Sequence, residues 1–120
     1  MAIRIISPAP DSRVCLQTAI YYHCWGGADR TATAAFLLGA LLGMDETQLI
    51  ADYEFTSLSI WGIRSRNLSV FKALFDLFGS FPGETLREKA EYYFLVRLGM
   101  SREAVDLIRQ TLVEEIPGAD

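Results

Sequence analysis

The nine residues His23-Cys24-Trp25-Gly26-Gly27-Ala28-Asp29-Arg30-Thr31 constrain this chain more than any other stretch. A short β-like run, Ala19-Ile20-Tyr21-Tyr22, precedes them, and an apolar helical run over residues 32–42 follows. A chain that passes from a strand through a glycine-containing turn into a helix points successive backbone N–H groups inward. The helix N-terminus adds partial positive charge at the same place, and together they form an anion cradle suited to phosphate. Arg30, six positions after Cys24, has the reach to fork two oxygens of such an anion. The same field lowers the pKa of a thiol, so Cys24 can stand as a thiolate nucleophile. The alternative for Cys24 is a structural cysteine in an ordinary strand–helix turn.

The order His-Cys-x5-Arg-Thr resembles the signature loop of the protein tyrosine phosphatase superfamily. Residues 23–31, the run 31–43 and then Asp52-Tyr53-Glu54-Phe55-Thr56-Ser57 are most similar to its bacterial branch with Asp-Arg-Thr in the loop. The resemblance implies a cysteine-dependent phosphomonoester hydrolase that works through a phosphocysteine intermediate, with no metal or cofactor. It assigns the nucleophile to Cys24 and the phosphate cradle to the amides of Trp25, Gly26, Gly27, Ala28, Asp29 and Arg30, helped by the Arg30 guanidinium. Thr31 matches the family hydroxyl that steadies the thiolate, and His23 the position that holds the loop by hydrogen bonding.

The general acid departs from the family pattern. An aspartate from a separate loop well upstream of the cysteine is usual, but the only acidic residue before Cys24 is Asp11, too close for that loop. Asp29 occupies a place in the cradle to which this branch assigns the acid, and a bound dianion would favour its protonated form. Otherwise Asp29 is a first-turn residue that suits the helix dipole. Ala28 stands where phosphoinositide-preferring relatives carry a lysine, which favours phosphotyrosine-type substrates. Ala32 stands where the family has glycine.

Five helices are expected. Residues 31–42 form the first, central and buried on most sides and ended by Gly43. Asp45 with Gln48 opens the second by a capping box, and Leu49, Ile50, Tyr53 and Phe55 give it an apolar stripe. Residues 68–78 form the third, residues after the Thr85–Glu88 capping box the fourth through Leu98, and Ser101 caps an amphipathic fifth with Ala104, Val105, Ile108 and Leu112 on one face. Residues 3–6 and 19–23 are the expected strands, while 13–18 fit a helical turn or a strand lead-in. The fold class expected is therefore α/β: a tyrosine-phosphatase-like strand and helix, with a small, incomplete sheet packed by about five helices. The resemblance runs from about residue 19 to the end, so residues 1–120 are expected to be one domain lacking the N-terminal part of the family domain. A sheet this thin leaves open edges and an uncovered helix face, and a homo-oligomer is expected to cover them.

Bulk properties exclude other classes. With 120 residues, 51% hydrophobic, there is enough for one core, and a net charge of −4 argues against a nucleic-acid partner. No apolar run is long enough for a membrane span, and the N-terminus lacks a signal-peptide pattern, so the cytoplasm is expected. Two cysteines then read as thiols: Cys15 either forms a reversible disulfide with Cys24 or is buried and inert. Arg64 and Arg66 either reach the pocket rim to meet substrate anions or are solvated. Trp61, Tyr92, Tyr93 and the phenylalanines at helical spacing read as core. The expected partners are a phosphorylated substrate, or phosphate or another oxyanion in the loop. Two further readings keep the cradle: a pseudophosphatase or truncated domain with little turnover, and a rhodanese-like sulfurtransferase, which Asp-Arg-Thr fits less well.

Overall fold

The computed structural model describes residues 2–5, 18–58 and 62–113. Its body is helical: α1 (Arg30–Leu41), α2 (Glu46–Phe55), α3 (Ser69–Gly79), α4 (Leu86–Tyr92) and α5 (Arg102–Leu112). A one-turn 3-10 helix, Thr56–Leu58, follows α2, and a π-helical segment, Tyr93–Arg97, continues α4. Asp11, Cys15, Trp61 and the tail after residue 113 lie outside the described residues.

The α/β expectation is corrected. Among the described residues the core is built by helix packing on helix, not by a sheet that the helices cover. The extended segments among the described residues are β1 (Ala2–Ile5) and β2 (Thr18–Tyr21), four residues each, and they pair antiparallel only with one another. Every core side chain described comes from a helical segment: Phe36, Ala40 and Leu41, then Leu49, Ile50 and Tyr53, Phe71 and Phe78, Ala90, Phe94 and Val105. The physical reason lies on α1, whose small residues let other helices take the contacts a sheet would make. Ala40 and Ala90 are both fully buried, so α1 and α4 approach closely. Gly39 admits α2 in the same way, since a Cβ there would sit 2.7 Å from Met44 Sδ and 2.8 Å from Leu49 Cδ2.

Local signals set the helix ends. Gly43 takes φ +94° after the Leu42 cap, a conformation that glycine adopts without steric cost. The Asp45 carboxylate accepts from Gln48 N at 2.8 Å while the Gln48 side chain accepts from Asp45 N at 2.9 Å. Thr85 and Glu88 make the same reciprocal pair at α4, and Ser101 Oγ accepts from Ala104 N at α5. The fourth helix is α-helical only to Tyr92; Leu98 N then donates to Tyr93 O five residues back, which widens the last turn. Lys89 joins neighbours by donating to Gly79 O and Phe81 O, at 2.8 and 2.7 Å, at the end of α3.

Aromatic rings fill the centre. Phe36 meets Phe78 edge-on at 5.3 Å and Phe71 at 6.1 Å, and Tyr53 stacks on Phe71 at 4.4 Å. Among the described residues expected in the core, Phe55 is the exception, 71% exposed at the end of α2. The cradle therefore stands on a helix whose far half is embedded in a helical core.

Candidate active site

Residues 22–29 carry the chain from β2 to the start of α1. Within them Gly27 has φ +71°, and a Cβ added there would touch nothing, so glycine is suited to the position by conformation alone. Ala28 is buried at 2% exposure, and its flanking residues carry the loop around the half-buried Cys24. Asp29 O accepts from Thr33 N at 2.9 Å and from Thr33 Oγ1 at 3.0 Å, fixing the first turn of α1.

The thiol of Cys24 is the electrostatic focus. Hydrogen bonds from the Thr31 hydroxyl and the Thr31 N–H, with further ones from the Gly27 and Asp29 N–H groups, hold its pKa down to about 6, against a smaller upward push from desolvation. Thr31 grips the residue twice, because its Oγ1 also accepts from Cys24 N at 2.8 Å. The α2, α4 and α5 N-termini each have a side-chain cap, but Asp29 makes no such bond at α1. The sulfur takes that place. A thiolate at Cys24 draws on the Thr31 N–H, one of the groups that a cap would otherwise occupy.

Other expected site residues are placed as follows. His23 Nδ1 lies 3.0 Å from Cys24 O, and a carbonyl only accepts, so the ring donates from Nδ1 and braces the loop backbone. Arg30 is the first residue of α1 and is exposed; Gly26 is half-buried, and Trp25 is 82% exposed. The two arginines left open by the sequence go different ways. Arg64 reaches Asp29, with Nη2 3.3 Å from Oδ1, whereas Arg66 binds both carboxylate oxygens of Glu54 at 2.9 and 2.8 Å. That fork holds the Glu54 carboxyl down to about 2.

Sequence reasoning missed what brings Arg64 in. Ser57 Oγ donates to Arg64 O at 2.7 Å and accepts from Arg64 N at 2.8 Å, closing the loop between them. Tyr53 stands close enough to feel both Arg64 and Asp29, though burial is the main reason its phenol is pushed up and stays neutral. A cleft of about 110 Å³ beside Asp29 is lined by Thr33, Tyr53, Val70, Phe71 and Leu74. The only available signal was the serine seven residues before the arginine, a spacing that gave no partner by itself. Among the described residues, no group of three or more His, Cys, Asp or Glu could hold a metal ion, and no helix is long and apolar enough to cross a membrane.

A turn whose backbone donors lower the Cys24 thiol pKa is closed by Thr31 at the head of α1. Residues 11–114 match the model of the tyrosine phosphatase family, and the chain belongs to that family. Membership implies a phosphatase acting on a phosphorylated substrate. Neither a curated protein nor a solved structure matches the chain.

Proposed function

We propose that this chain hydrolyses phosphomonoesters, with a preference for phosphotyrosine-type substrates, through a phosphocysteine on Cys24 and without metal or cofactor. The reading is carried by the geometry of the turn, Gly27 at φ +71° and Thr31 Oγ1 accepting from Cys24 N at 2.8 Å, whose donors also lower the Cys24 thiol pKa to about 6. At neutral pH Cys24 is mostly thiolate. The sulfur attacks phosphorus as the P–O bond to the leaving group breaks, and Asp29, protonated, gives its proton to the departing oxygen. Amides of residues 25–30 and the Arg30 guanidinium hold the three equatorial oxygens as charge redistributes. Water then attacks phosphorus, its proton passes to the Asp29 carboxylate, and the S–P bond breaks to return the Cys24 thiolate and free phosphate. The preference for aryl phosphates is supported by Ala28, which adds no cation to the loop, and by the exposed aromatic surface of Trp25 beside the nucleophile.

The test is turnover of a small aryl phosphate in the presence of a chelator. The wild-type chain is expected to turn over and Cys24→Ser to lose turnover while folding normally. Undiminished activity in Cys24→Ser, or activity lost to the chelator, refutes the reading. Oxyanion binding seen as a thermal shift, with no turnover by the wild-type chain, assigns the cradle to binding alone.

A further inference from the structure

The Arg64–Asp29 pair is asymmetric. Arg64 is the anchored partner, its side chain 17% exposed and its backbone clipped on both sides by Ser57, while the Asp29 side chain is 75% exposed. Only Oδ1 of Asp29 is engaged, at 3.3 Å, and among the described residues Oδ2 accepts no hydrogen bond. The neighbouring Arg66–Glu54 pair shows the contrast: Arg66 takes both oxygens of Glu54, and its backbone N also donates to Oε1 at 3.0 Å. A carboxylate tied at every point is structural. One held at a single oxygen presents the other.

We propose that Arg64 is a positioning residue that decides which oxygen of Asp29 carries the transferable proton. The inference rests on the phosphatase reading above. A guanidinium has only donors, so the oxygen it engages acts as the acceptor. When Asp29 is protonated, Oδ1 therefore keeps the carbonyl role and the proton sits on Oδ2, which has no partner among the described residues. In the first step that proton moves from Oδ2 to the leaving-group oxygen; in the second, Oδ2 takes one from the attacking water. Without Arg64 the proton is carried by either oxygen and the exposed carboxyl rotates, so fewer encounters present it correctly.

The experiment is steady-state kinetics on aryl phosphates spanning good to poor leaving groups, for Arg64→Met, Arg64→Gln, Arg64→Lys, Asp29→Asn and the double variant Arg64→Met/Asp29→Asn. Arg64→Met is expected to lower kcat by roughly tenfold for poor leaving groups, part of the ~10²–10⁴ that a general acid supplies, and hardly at all for activated ones. Arg64→Lys, which also has only donors and replaces a single-point contact, is expected to recover most of the loss. Arg64→Gln, whose amide donates or accepts, is expected to share it, and serves in place of Arg64→Met if that variant does not fold. In the Asp29→Asn background the Arg64 change should add nothing. Losses equal across the series, or undiminished in that background, overturn the role of Arg64 while Cys24 remains essential. Turnover retained by Cys24→Ser overturns the phosphatase reading itself, a different result.

Discussion

At its N-terminal end α1 meets solvent: Arg30 is exposed, Asp29 gives no side-chain cap, and the hydroxyl and N–H of Thr31 donate to the sulfur of Cys24. At its C-terminal end Phe36, Gly39, Ala40 and Leu41 are buried, and Leu41 O accepts from Arg109 Nε at 3.3 Å. Arg109 is itself held by Glu91, whose carboxyl it keeps below the usual range, and lies 3.7 Å from Asp106. The two ends divide the work of one helix. The N-terminal N–H groups lack a side-chain cap at the Cys24 end, and a C-terminal carbonyl is covered where the core is closed.

This division breaks first at Arg30. Arg30→Lys keeps the charge but loses the fork, and kcat/KM for an aryl phosphate is expected to fall by ~10²–10³, the range for removing one transition-state donor. Thermal unfolding should barely move, since the side chain is exposed. Near wild-type kinetics would remove Arg30 from the phosphate and leave the open end of α1 without its cation.

The closed end responds in the opposite currency. Gly39→Val drives a Cβ towards Met44 Sδ and Leu49 Cδ2, and Leu49 is only 2% exposed, so little room exists for it to yield. Overpacking of this kind costs ~1–3 kcal/mol, to be read from the denaturant midpoint. The alkylation rate of Cys24 in the folded variant should match wild type. A change in that rate as large as the change in stability would show that the two ends are coupled.

The smallest expected effect sharpens the comparison at the sulfur. Cys24 alkylation by a neutral reagent should follow a thiolate titrating near pH 6: fast above it, lost as pH falls through it. Thr31→Ala removes the largest cause of the depression, the hydroxyl bond, while keeping the N–H, so the midpoint is expected to rise and the rate at neutral pH to drop. An unmoved midpoint would assign the low pKa to the turn amides alone.

What the sequence by itself determined is what neighbours in the chain decide. The Asp45–Gln48 and Thr85–Glu88 boxes, the Ser101 cap and the stop at Gly43 each close within a few residues, so residue type and spacing suffice; the link from Cys24 to Thr31 is expected only from the family resemblance. The tertiary structure decided the rest. Apolar periodicity foresaw helices but could not say that α1 would be covered by α2 and α4 instead of a sheet; that follows from Ala40 and Ala90, fully buried where α1 and α4 meet fifty residues apart, and from Gly39, which leaves room for Met44 and Leu49. Phe55 fits an apolar stripe and yet is exposed, because burial depends on what packs opposite it. Arg64 and Arg66 are two residues apart, but one clasps Asp29 across 35 residues and the other Glu54 across 12. Their side chains are alike, and only the path of the backbone, pinned at Ser57, separates the arginine beside the cradle from the one on the surface.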